Sequence, residues 1–147
     1  MRWARRLTTP RRRSSTPRTR TAGDERAMRR NRRHTAGVQN LCLSPDGTRI
    51  VFNHTKTPTA NDWTTSDVSI VEVASAKTSV FANTAAAEDS ARYSPDGKWI
   101  AMNVSEAPPR WAQHEVINVY PVAGGQPKTL ATSHDGQPGI IGWSADA

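Results

Sequence analysis

The sequence predicts an all-β body behind a disordered, Arg-rich arm. Three observations carry that reading. A turn motif returns after 50 residues, short β-branched and aromatic runs stand between Gly/Pro turn signals, and the charge balance changes sign along the chain.

The charge division sets the domain boundary. Residues 1–36 hold 13 Arg, no Lys, and only Asp24 and Glu25 as acids, a local balance of +11. Residues 37–147 hold 7 basic against 11 acidic residues, so the net +7 belongs to the arm. Beyond Trp3, Leu7 and Met28 the arm has almost no large apolar side chain, so burial cannot offset the entropy of ordering it. Its Arg11-Arg12-Arg13 and Arg29-Arg30-Asn31-Arg32-Arg33 clusters could neutralise phosphates, but basic tracts are weak signals, and nucleic-acid binding is the minor reading. Residues 1–36 lack the apolar core of a signal peptide. No run approaches the roughly 18 apolar residues of a membrane helix. One cysteine, Cys42, excludes an internal disulfide and a multi-cysteine zinc site.

The body is a repeat. Leu43-Ser44-Pro45-Asp46-Gly47-Thr48-Arg49-Ile50 returns as Tyr93-Ser94-Pro95-Asp96-Gly97-Lys98-Trp99-Ile100, and Trp143-Ser144-Ala145-Asp146-Ala147 begins a third copy. Ile70–Ala74 matches Val119–Ala123 at an offset of 49, as Lys77–Phe81 matches Gln126–Leu130. The first unit reads as strands at Val38–Leu43, Arg49–His54, Val68–Val73 and Lys77–Phe81. The second reads as Ser90–Tyr93, Trp99–Val104, Val116–Tyr120 and Lys128–Ala131, with Gly139–Trp143 opening a third. Proline presets the first corner of each Ser-Pro-Asp-Gly turn, while Asp and Gly tolerate the tight positions that follow. Four short strands per unit of about 50 residues is the pattern of a β-propeller blade. The predicted fold is therefore an incomplete β-propeller over residues 37–147. Blade 1 spans about 38–87, blade 2 about 88–137, and the start of blade 3 138–147.

A strand, Ser-Pro-Asp-Gly, and a second strand entered through Thr48-Arg49-Ile50 or Lys98-Trp99-Ile100 resembles the repeats of TolB-like and WD40-like propellers. It also resembles those of the N-terminal propeller of the prolyl oligopeptidase family of serine peptidases. The wording Asn53-His54-Thr55-Lys56 and the stretch 135–144 is similar to secreted dipeptidyl- and acylaminoacyl-peptidase-like members. That resemblance implies a non-catalytic propeller piece that gates or positions peptide substrate in a periplasmic or extracellular parent, whose Ser-Asp-His triad lies beyond residue 147. The other implication is a TolB-like propeller used as a protein-binding scaffold with no hydrolase attached. The implied partners are further blades, the hydrolase domain of the parent, and a peptide or protein ligand; no cofactor is implied.

Candidate chemistry on the chain itself is sparse. Gly142-Trp143-Ser144-Ala145-Asp146 resembles a nucleophile elbow, but Ser144 stands at the repeat position of Ser44 and Ser94, so a turn serine is expected and no catalytic residue. His34, His54, His114 and His134 have no metal-ligand spacing and are expected in surface loops. Cys42, within Leu41-Cys42-Leu43, is expected to be a buried small hydrophobe. Asn53-His54-Thr55 and Asn103-Val104-Ser105 fit the N-glycosylation pattern. The insertions at about 55–66 and 105–114 occupy the same place in each unit and should emerge on one face. Their Trp63 and Trp111 either pack on the neighbouring blade or line a contact face.

Overall fold

The computed structural model describes residues 37–132 and 136–144. The Arg-rich arm, His34, His134 and the final Ala145-Asp146-Ala147 lie outside those residues.

Eight strands form two sheets. β1 (Gly37–Leu43), β2 (Arg49–Thr55), β3 (Asp67–Glu72) and β4 (Thr78–Ala82) make one antiparallel meander in the order β1-β2-β3-β4. β5 (Glu88–Tyr93), β6 (Trp99–Ser105), β7 (Glu115–Pro121) and β8 (Lys128–Thr129) make the second in the same way. The fold is all-β. The two sequence offsets reappear in the ladders: Gln39 pairs Asn53 as Asp89 pairs Asn103, and Ile70 pairs Ser79 as Val119 pairs Lys128. Each first strand carries a β-bulge, between Gln39 and Cys42 and between Asp89 and Arg92. Asn40 and Ser90 absorb the extra residue at positive φ, 50° and 54°.

The turns show why Ser-Pro-Asp-Gly recurs. Ser44 Oγ donates to Asp46 Oδ1 at 2.6 Å, and Thr48 N donates to the same oxygen at 3.0 Å. Arg49 N donates to Ser44 Oγ at 2.9 Å. Ser94, Asp96, Lys98 and Trp99 repeat these bonds at 2.7, 3.0 and 3.0 Å. Gly47 and Gly97 both sit at φ 71°, where a side chain would be strained. These hydrogen bonds favour the ionised carboxylates and hold Asp46 and Asp96 at about 2, below the ordinary 3.8.

One core joins the sheets. Val51, Val68 and Ile70 of the first meet Ala91, Tyr93, Ile100, Met102 and Val104 of the second, all buried. Phe81 and Tyr120 close its margin edge to face at 5.9 Å.

Three expectations are corrected. Gly139–Trp143 forms no strand, because no described strand lies beside it to supply a ladder, and Ile141 is fully exposed. Cys42 is only half-buried, because β1 borders the core from one side and leaves Leu41 and Leu43 open. His54 is a strand residue: it lies in β2 with Nε2 2.9 Å from Ser69 Oγ.

Candidate functional site

Both insertions emerge at the end of the sheets opposite the Ser-Pro-Asp-Gly turns. The first is tied down locally around a 3-10 helix, Ala60–Thr65. Thr57 Oγ1 donates to the Asp62 carboxylate, Thr65 Oγ1 to Asp62 O at 2.7 Å, and Lys56 N to Thr65 Oγ1 at 3.0 Å. This knot fixes Trp63. The second insertion closes through Glu106 N donating to His114 O at 3.0 Å, with Glu106 and Arg110 paired at 3.8 Å on the surface. Trp111 is 87% exposed and meets Trp63 edge to face, with ring centroids 6.0 Å apart.

Beneath Trp63 lies a cleft of about 400 Å³ between the two sheets, lined by strand ends from both repeats. Its floor is built twice from repeat-equivalent residues. In the first copy Asn53 Nδ2 donates to Ser66 Oγ at 3.3 Å, and Ser66 Oγ donates on to Glu88 O at 2.7 Å. In the second, Asn103 Nδ2 donates to Glu115 Oε2 at 3.2 Å and to Pro138 O at 2.9 Å. Gln113 Nε2 takes the other oxygen of the same carboxylate, Glu115 Oε1, at 2.8 Å.

These partners fix how each amide faces. The Ser66 hydroxyl hydrogen is committed to Glu88, so toward Asn53 it can only accept, and both partners of Asn103 are acceptors. The amide nitrogens therefore face these acceptors. Asn53 Oδ1, Asn103 Oδ1 and Gln113 Oε1 are buried with no partner in the protein. Asn53 and Asn103 are 3% and 9% exposed, so each stranded acceptor costs about 1–3 kcal/mol unless something else satisfies it. The same burial removes both asparagines from reach of a glycan in the folded protein.

The cleft is electronegative. Asp89 and Glu115 contribute carboxylates, and no basic side chain occurs among the described residues that line it. Burial pushes the Asp89 carboxyl above its ordinary value; a bond from Ser90 opposes this, and the nearby Glu115 charge adds to it. Next to the cleft, Glu88 is fully buried. Thr84 N donates to its Oε1 at 3.2 Å and Thr84 Oγ1 at 2.5 Å, while Oε2 has no partner. Desolvation raises its pKa, the Thr84 hydroxyl bond opposes this, and the neighbouring Asp67 charge raises it further.

Of the residues singled out in the sequence, Trp63 lines this cleft and Trp111 touches Trp63. Ser44–Gly47 and Ser94–Gly97 lie at the other end. Ser144 is exposed, in a stretch without helix or strand. Among the described residues, no three of His, Cys, Asp and Glu come together as a metal set would require. The sequence reading passed over Asn53 and Asn103 as floor residues. The available signal was their recurrence at 50, hidden because each also opened a glycosylation pattern.

No family model matches the chain, and no curated protein matches it in sequence. Seven chains of solved structures do match. One is a TolB-like protein of Agrobacterium tumefaciens, with a TM-score of 0.52 and 20% identity, over 65% of this chain and 31% of that one. The chain thus matches about a third of that protein's length. This likeness supports a TolB-like, propeller-type fold.

Proposed function

We propose that the chain is part of a propeller-type, non-catalytic scaffold that holds a peptide or protein segment at the end bearing Trp63 and Trp111. The two sheets are two blades in this reading, and further blades complete the ring. The observation that carries it is the cleft floor, laid down by both repeats at the end where both insertions emerge. Repeat proteins commonly place binding surfaces on one face through such insertions. Support for the scaffold reading also comes from the TolB-like likeness of the fold, whereas the serine-peptidase parent rests on sequence resemblance alone. No helix among the described residues is long and apolar enough to cross a membrane.

The test is to pan the full chain against a random peptide library and measure the enriched peptides by calorimetry. Binding should weaken about tenfold on Trp111→Ala, which removes an exposed aromatic of the kind that anchors interfaces, and stay unchanged on Val80→Ser at an exposed site on β4. Failure to enrich any peptide, or equal binding by both variants, would refute the proposal.

A further inference from the structure

The inventory of the cleft is one-sided. Among the described lining residues, every buried side-chain polar atom left without a protein partner is an acceptor: Asn53 Oδ1, Asn103 Oδ1 and Gln113 Oε1. Two of the three belong to side chains more than nine-tenths buried. Asn103 Nδ2 places both its hydrogens on acceptors, and the Asn53 and Gln113 nitrogens each hold one, so the amides cannot flip without stranding Glu115 or Ser66. A carboxylate, Asp89, stands beside them, and the indole of Trp63 walls the cleft. An anion would meet the Asp89 and Glu115 carboxylates there, with no basic side chain among the described lining residues to offset them.

We propose that this cleft binds a donor-rich organic cation, a guanidinium or primary ammonium group, which satisfies the stranded amide oxygens and neutralises Asp89. The inference deepens the scaffold reading and rests on it only for the source of the cation, an Arg or Lys side chain of a bound peptide. Charge-assisted hydrogen bonds to several acceptors give such a group both its strength and its selectivity over a neutral isostere. A flat guanidinium additionally stacks on an aromatic face, as Trp63 permits.

The experiment is calorimetric titration of the full chain with four probes. They are N-acetyl-Ala-Arg-Ala amide, its Lys and citrulline counterparts, and free agmatine. The Arg or Lys peptide should bind at least about tenfold tighter than the citrulline peptide, because citrulline lacks the charge. Asp89→Asn should abolish that preference. Asn53→Leu should abolish it too, yet melt at or above the wild-type temperature, since it removes a stranded acceptor. If Asn53→Leu does not fold, Asp89→Asn, at a partly exposed position, still decides the question. Peptide binding tighter than agmatine assigns the site to a side chain; agmatine binding without peptide binding keeps the cation site and sinks the peptide scaffold. Equal binding of Arg, Lys and citrulline peptides keeps the scaffold and sinks the cation site. Retention of the charge preference by both variants sinks it as well.

Discussion

β1 and β5 occupy the same position in two copies of one repeat, with the same bulge and the same turn, yet they live in different surroundings. Val38, Leu41 and Leu43 of β1 are 51%, 61% and 56% exposed, while their counterparts Glu88, Ala91 and Tyr93 are 0%, 0% and 6% exposed. β5 packs against β1, β2 and β3; β1 has no sheet on its far side among the described residues. Polarity even runs backwards, since the buried strand carries the glutamate. Burial here is a property of the neighbour and not of the strand's own composition.

The sharpest way to break this comparison is to put a charge at both equivalent positions. Ala91→Asp should cost about 3 kcal/mol or more, enough to unfold a marginal domain, because an unpaired carboxylate would be buried. Leu41→Asp should stay within about 0.5 kcal/mol and improve solubility, since it interrupts an apolar strand surface. Urea denaturation followed by circular dichroism reads both, and equal costs would show that β1 is covered in solution. Truncation should separate the copies almost as widely. Tyr93→Ala is expected to lose about 3–4 kcal/mol and Leu43→Ala well under about 1 kcal/mol.

A smaller effect of opposite sign is expected at Glu88. Glu88→Gln keeps an oxygen for Thr84 and removes a buried charge, so stability at neutral pH should rise by about 1 kcal/mol. The sign follows from linkage. A carboxyl raised in the folded state binds its proton more tightly there, so stability falls as pH climbs from the unfolded carboxylate range through the folded pKa. Wild type should weaken across that window, and the Gln variant should show a flatter profile by thermal melts at pH 4 to 7.

The smallest difference is expected at the turns, where the copies agree. Carbon-detected NMR titration should find Asp46 and Asp96 both near 2. Their stabilising bonds are fully present above the unfolded value and disappear as pH falls through about 2. A midpoint of one turn near 3.8 would mean that its Ser-Asp hydrogen bond does not persist in solution.

What the sequence made legible was the local chemistry at fixed spacing. The turns, the two offsets and all eight strands to within about two residues could be read because Pro, Asp and Gly act on their own backbone. The burial of β1, the stranded amides of Asn53 and Asn103, and the unpaired state of Gly139–Trp143 depend on which chain segment lies alongside. Leu41-Cys42-Leu43 looks like core to any local reading, and its leucines stand exposed because no sheet among the described residues covers its far side. Asn53 looked like a surface acceptor for a sugar, and only the cleft shows why its carbonyl is inside.

The bulge at Asn40 and Ser90 makes each first strand a parity device. Side chains alternate faces along a strand, so the extra residue exchanges the faces of everything before it relative to everything after. Without it, Gln39 and Asp89 would swap sides with their neighbours while the strands still ran into unchanged turns. The four-residue spacing from Asn40 to Ser44, and from Ser90 to Ser94, is therefore a ruler that tolerates no single-residue slip. The insertions around Trp63 and Trp111 carry no such constraint and are free to change length. Related chains should then diverge by whole loops or whole repeats, and hold this short stretch of strand to constant length.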